Sequence, residues 1–395
     1  MNEDILHSRV CIVILVESPF SQRDFDRFGI EILKRNFKVF ICDFTEWLHP
    51  EFYRIHEKTE TSNEEIFHIH SKNEFQNFLY RINYEVKIAI DQLSSHRNAF
   101  WVRKKIKEYS FRLTQIQNGL IPTSPSETDL VSHIKSKIFS FNEFKKILLR
   151  NLFKLIPKEN IKHDIVVISG KSGLQSPGVQ EIEHKIYSHS FDYDLVINSK
   201  RELSEPIIKD YILFLDEDMV HHSDYLHDGF KPPIEEEEYY YHLNRFFDTL
   251  EKELKLKVIW ALHPRAEYDK RKHLLKNRLS FVGETLRLVQ NAKLVLLHSS
   301  TSISFPVISR KPLLFMTMKK LDSSWIGPRI RYRAGLFDKE ACFIDQQIPL
   351  NLVISDVLEI NEEHYKHYEE QFIKFPGTSM KPSWEIFSDY IRETL

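Results

Sequence analysis

The stretches Val258-Ile259-Trp260-Ala261-Leu262-His263-Pro264-Arg265 and Leu294-Val295-Leu296-Leu297-His298-Ser299-Ser300-Thr301-Ser302 decide the reading of this chain. Each is a short apolar run, the length of a strand buried on both faces of a parallel sheet, that stops abruptly at polar residues. In open α/β sheets ligands bind outside the carboxyl ends of the strands. Two such ends within one segment point to a single crevice in which His263 and the hydroxyl cluster face the same anion.

The same punctuation recurs on either side. Residues 211–215 form another apolar run that ends at Asp216-Glu217-Asp218, and 235–255 read as a helix with Leu243, Phe246, Phe247, Leu250 and Leu254 at three- and four-residue spacing. Further strands are expected at 279–282, 313–316 and 342–344. In the first half, strands are expected at 10–16, 37–42, 87–90, 165–169 and 195–197, with a helical stretch over 20–35, an alternation that implies helices on a parallel sheet. The polar segment 198–206, closed by Pro206, reads as a boundary. A chain of 395 residues with 42% apolar content is too long for one ordinary core and apolar enough to fill two. The expected fold is therefore α/β of GT-B type: two Rossmann-like domains, 1–200 and 201–395, facing a central cleft, with the acceptor on the first and a nucleotide-sugar on the second.

Composition excludes several alternatives. With ten glycines there is neither a GxGxxG nor a GxxxxGK[ST] fingerprint, so a nucleotide is held by other means. The three cysteines, Cys11, Cys42 and Cys342, lack metal-site spacing and a disulfide framework, so no metal is expected and a reduced, cytoplasmic compartment is. No apolar run approaches a membrane span, and the acidic start Asn2-Glu3-Asp4 is unlike a signal peptide. A net charge of −2 offers nucleic acid no general attraction.

The polar strand ends supply the candidate chemistry. Ser299, Ser300, Thr301 and Ser302 precede an apolar stretch able to open a helix despite Pro306, so hydroxyls and unpaired backbone N–H groups form either an anion cradle or an ordinary cap. Pro264 biases His263 toward extended backbone, which projects the imidazole at the strand end beside Arg265, where it can donate to a leaving phosphate; a structural histidine is the alternative. Asp216 is the candidate base or nucleophile for glycosyl transfer, against a metal-binding DxD or a solvated turn. At a further strand end, Gly283 lets a base or ribose approach the backbone and Glu284 accepts from hydroxyls. In the first half, Arg23 and Asp24 follow the first strand and are candidate acceptor contacts, with Asp24 the reserve catalytic carboxylate; a salt-bridge cluster at a helix start is the alternative. The group His189-Ser190-Phe191-Asp192-Tyr193-Asp194 is a second polar cluster.

Taken together, His263-Pro264, Ser299-Ser300-Thr301 and Asp216-Glu217-Asp218 resemble the His-Pro, serine-rich and acidic motifs of the bacterial sialyltransferases, polysialyltransferases and β-Kdo transferases of capsule and lipopolysaccharide synthesis. The resemblance covers residues 211 to 320. It implies a GT-B fold and metal-independent transfer of a nonulosonic acid or Kdo from a CMP-sugar to a glycan or lipid-linked glycan, with His263 and the serines on the CMP phosphate. The chain departs from that pattern where Asp218-Met219 replaces the glycine of the acidic motif. Alternatives are another GT-B enzyme using a UDP-sugar or CDP-polyol donor, and a non-catalytic nucleotide-sugar-binding subunit of a polysaccharide assembly complex. Residues 141–158 place Phe141, Phe144, Leu148, Leu152 and Leu155 on one helical face bordered by Lys145, Lys146, Arg150 and Lys154, a pattern that suits either peripheral contact with an anionic membrane or core packing with a solvated basic face. Basic residues over 97–107 carry the same two readings.

Overall fold

The computed structural model describes residues 9–55, 66–94, 96–123, 161–199, 208–222, 231–264, 266, 268–347 and 357–395. They fall into two compact units. The first takes the described residues of 1–120, 158–197 and 371–395, and the second those of 121–157 and 198–370.

In unit 1 the strands β1 (Val10–Val16), β2 (Lys38–Asp43), β3 (Ile66–His68), β4 (Val86–Asp91), β5 (Arg112–Gln117), β6 (Ile165–Ile168) and β7 (His184–Tyr187) form a parallel sheet of order β3-β2-β1-β4-β5-β6-β7. Every residue of β1 is buried because the sheet is covered on both faces: Ile12, Ile14 and Val16 enter one core cluster, Cys11, Val13 and Leu15 the other. That is why β1 reads as an unbroken apolar run rather than an alternating one. The basic helix Arg97–Glu108 packs on this sheet, with Arg103 on Asp91 and Lys107 on Asp164.

Unit 2 repeats the plan with β8 (Tyr211–Leu215), β9 (Val258–Leu262), β10 (Ser280–Val282), β11 (Ala292–Leu297), β12 (Leu313–Thr317) and β13 (Cys342–Phe343), again parallel, in the order β10-β9-β8-β11-β12-β13. The helix Glu236–Leu254 buries Tyr239, Tyr240, Leu243, Phe246, Phe247 and Leu250, within a core that includes Phe214 and Trp260. In each unit the strand order reverses once, between β1 and β4 and between β8 and β11. Such switch points are where open α/β sheets leave a crevice at the strand ends.

Two expectations are corrected and one, the helical stretch 20–35, is refined. Residues 195–197 are not a strand but part of the helix Phe191–Ser199, in which Tyr193, Val196 and Ile197 are buried and Leu195 is exposed; three apolar residues are too few to fix a period. The stretch 20–35 is two short helices, Gln22–Arg27 and Ile30–Lys34, separated at Gly29, whose φ of 54° is left-handed. Finally, the C-terminal segment Gln371–Leu395 belongs to unit 1 instead of closing a second domain at 395. Its helix Ser383–Thr394 buries Trp384, Phe387 and Ile391 in the unit 1 core, and the Trp384 indole N–H donates to the Arg27 carbonyl at 2.8 Å.

The polar cluster at 189–194 serves this attachment. The buried His189 donates through Nε2 to the Lys381 carbonyl at 2.7 Å, and Asp194 accepts from the Ser383 N–H at 2.7 Å. A Cβ on Gly29 would meet the Trp384 side chain at 2.5 Å and would also impose a side chain on a left-handed backbone. Gly29→Ala is therefore expected to destabilise unit 1 by about 3 kcal/mol. Urea unfolding followed by tryptophan fluorescence checks this, and an unchanged midpoint would contradict it.

Candidate functional site

The turn after β8 organises the carboxyl edge of the unit 2 sheet. Asp216 is buried, and its oxygens accept from three donors: the His263 backbone N–H at 3.1 Å, the Tyr268 hydroxyl at 2.6 Å and the Asp218 N–H at 3.1 Å. Glu217 reaches the other way. Its Oε1 accepts from the N–H groups of His298 at 3.0 Å and Ser299 at 2.7 Å, and its Oε2 from the Ser299 hydroxyl at 2.9 Å. Asp218 binds Arg271 at 2.9 Å, and Arg271 also lies over the Tyr268 ring. Since β9 and β11 flank β8, one tripeptide ties together the ends of three adjacent strands. Asp218 has a φ of 47°, so the position where glycine was expected does require a left-handed backbone, and aspartate is among the few residues that adopt it readily.

His263 is held at the end of β9 by Asp216 through its backbone, leaving the imidazole half-buried with its ring 4.9 Å from that of His222. His298, the other strand-end histidine, is fully buried and structural. Its Nδ1–H donates to the Met316 carbonyl at 2.7 Å and its Nε2 accepts from the Tyr239 hydroxyl at 3.0 Å, while burial holds its pKa below the usual value.

The hydroxyl cluster divides in two. Ser299 turns inward to Glu217, and the buried Arg333, from the helix Gly327–Gly335, donates to the Ser299 carbonyl. The Ser300 hydroxyl accepts from the Ser302 N–H as the cap of the 3₁₀ turn Thr301–Ile303, which runs into the helix Ser304–Ile308. Thr301 is exposed and Ser302 half-buried, so these two present the cluster's outward surface.

Of the remaining candidates, Pro264 is exposed beside His263, and Arg265 lies outside the described residues. Gly283 follows β10 with a φ of 80° and open space where a Cβ would stand, and Glu284 precedes the helix Thr285–Asn291. Arg23 and Asp24 are in unit 1. Arg23 is exposed, whereas Asp24 closes a capping box, accepting from the Ser21 N–H at 2.9 Å and the Ser21 hydroxyl at 2.6 Å. The amphipathic stretch 141–158 lies outside the described residues, among which no helix is long and apolar enough to cross a membrane.

Sequence reasoning did not single out Tyr268, Arg271, Arg333 or His222, and it took Glu217 only as the middle member of the acidic motif. Only Glu217 carried a signal: in a strand ending in consecutive acids, alternate side chains point to opposite faces, so the middle one necessarily serves a different neighbour from Asp216.

No family model matches the chain, and no curated protein does. Solved structures do. A UDP-N-acetylglucosamine 2-epimerase described from Listeria monocytogenes aligns over 98% of this chain and 98% of its own, with a TM-score of 0.50 and 10% identity. The S. aureus MnaA–UDP complex aligns over 98% of this chain and 96% of its own, with a TM-score of 0.51 and 9% identity. The fold is of GT-B type. At these identities the likeness is one of fold.

The Asp216 carboxyl is pushed up to about 6 by burial, against the hydrogen bonds from Tyr268 and His263 that favour its ionised form. Unfolded, it ionises near its ordinary value of 3.8. Between these values the native state holds the extra proton, so this group makes stability fall as pH rises from about 4 to about 6. Asp216→Asn, neutral throughout, is expected to remove that part of the slope, on the order of 3 kcal/mol across the window. Urea unfolding at intervals between about pH 4 and 7 measures it, and a variant with the wild-type slope would contradict the assignment.

Proposed function

We propose that the chain is a glycosyltransferase of GT-B type that takes a UDP-sugar in unit 2, at the carboxyl ends of β9, β8 and β11. The observation that carries this reading is the bridging of His263 and Ser299 by the single turn at Asp216 and Glu217, at the point where the strand order reverses. The two GT-B neighbours above, one described as a UDP-sugar epimerase and the other as a UDP complex, favour uridine diphosphate as the donor nucleotide.

In this reading the diphosphate sits against the outward hydroxyls of Thr301 and Ser302, and the His263 imidazole donates to the phosphate oxygens on which charge develops as the glycosidic bond breaks. Gly283 leaves its backbone open to the nucleoside at the next strand end, and Glu284 accepts from ribose hydroxyls. Asp216 is a positioning residue that acts through His263, because both of its oxygens are already engaged. Arg23 and the rest of unit 1 serve the acceptor, a glycan or lipid-linked glycan.

A second reading keeps the site and changes the donor to a CMP-sugar carrying a nonulosonic acid or Kdo. It is favoured by the His263-Pro264 and Ser299-Ser300 pairs, the features that resemble the sialyltransferase motifs.

Isothermal titration of UDP, CMP and GDP into the full chain separates the two. UDP is expected to bind most tightly, with affinity falling about 10- to 100-fold in His263→Ala, the loss for a hydrogen bond to a charged group. Selective binding of CMP with the same sensitivity would replace the first reading by the second. Binding of no nucleotide, or binding indifferent to His263, would contradict both.

A further inference from the structure

The switch point of unit 1 carries chemistry that the nucleotide site leaves unused. Glu17 directly follows β1, His96 opens the helix Arg97–Glu108 after β4, and His49 ends the short helix Thr45–Leu48 after β2. Parallel pairing sets Leu15 opposite both Cys42 and Asp91, so the three segments emerge side by side. The Glu17 Oε2 lies 3.1 Å from His96 Nε2 and 3.6 Å from His49 Nε2, and the three ligand atoms all lie within 4.8 Å of one another. In a tetrahedral site with bonds of about 2.0–2.1 Å, neighbouring ligand atoms are about 3.3 Å apart. One ion therefore fits among them with small side-chain movements.

The surroundings hold this arrangement. The Ser94 N–H donates to Glu17 Oε1 at 2.9 Å, which fixes the carboxylate and leaves Oε2 to the histidines. The two imidazole rings cross at 86° with centroids 5.7 Å apart, so they do not stack. The side chains of Glu17, His96 and His49 are 17%, 29% and 37% exposed, withdrawn from bulk water but reachable from it.

We propose that Glu17, His49 and His96 bind one zinc-class divalent ion, with water or a substrate oxygen as its fourth ligand. Two imidazoles and a carboxylate suit zinc and its first-row neighbours, whereas magnesium and calcium favour all-oxygen sets. Without metal, the Ala99 N–H donates to His96 Nδ1 at 3.2 Å, so the ring proton sits on Nε2 and faces Glu17. Ligation through Nε2 moves that proton to Nδ1 and gives up the Ala99 bond, exchanging a helix cap for a metal bond.

Cobalt(II) is the probe, because a tetrahedral nitrogen and oxygen environment intensifies its visible absorption. The full chain is stripped with chelator and titrated with Co²⁺, then with Zn²⁺. Wild type is expected to bind one equivalent more than His49→Ala or Glu17→Gln, with intensified absorption that Zn²⁺ abolishes, and His49→Cys is expected to restore uptake by supplying a thiolate. Circular dichroism establishes that each variant is folded. Equal uptake by wild type and either folded loss variant, or failure of the cysteine variant to bind, overturns the proposal.

Discussion

Three consecutive carboxylates in one turn hold the candidate nucleotide site together. Parallel strands leave their sheet at the same edge, and each departing segment carries backbone N–H groups that its neighbours no longer satisfy. At the edge of unit 2, Asp216 takes the N–H at the end of β9, and Glu217 takes two at the end of β11. Asp218 keeps its charge paired with Arg271. Burying Asp216 is costly, which pushes its pKa up, and three hydrogen bonds offset that cost. In return the edge gains fixed positions for the His263 imidazole and the Thr301-Ser302 turn. Since hydrogen bonds in such a network are coupled, replacing one acid affects the placement of side chains on two strands.

This arrangement also separates support from contact among residues that look alike in the sequence. His263 and His298 both end apolar strands, yet His298 is buried between Tyr239 and the Met316 carbonyl while His263 remains half-buried at the surface. Likewise Ser299 binds Glu217, whereas Thr301 faces outward. Both units place polar residues where the strand order reverses, but with different chemistry. The edge of unit 2 offers hydroxyls and an imidazole suited to an anion, and that of unit 1 brings two imidazoles to one carboxylate.

Most of the strands that were legible in the sequence are buried ones, the edge strands β10 and β13 excepted. Residues 10–16 and 211–215 lie in sheet centres, where both faces are covered and the apolar run is continuous. β3, β5 and β7 were not recognised. Ile66–His68 has three residues, two of them exposed, Arg112–Gln117 mixes polar and apolar side chains, and His184–Tyr187 has one buried residue. The return of Gln371–Leu395 to unit 1 was beyond local reading, because it rests on Trp384 meeting Gly29 across most of the chain. Among the candidate site residues, His263 and the serines stand out in the sequence because each stops a strand. Tyr268, Arg271 and Arg333 reach it from segments with no pattern of their own. The Glu17, His49 and His96 cluster was hidden for the same reason: cysteine and histidine spacing detects ligands within one segment, and these come from three.

The most direct test of the strand-edge site is a crystal structure of the full chain grown with UDP. The diphosphate is expected at the carboxyl ends of β9 and β11, within hydrogen-bond distance of His263 and of Thr301 or Ser302, with Asp216 and Glu217 still engaged with the partners described above. UDP bound away from these strand ends, or an Asp216 carboxylate released from His263 and Tyr268 to face the ligand, would contradict the account.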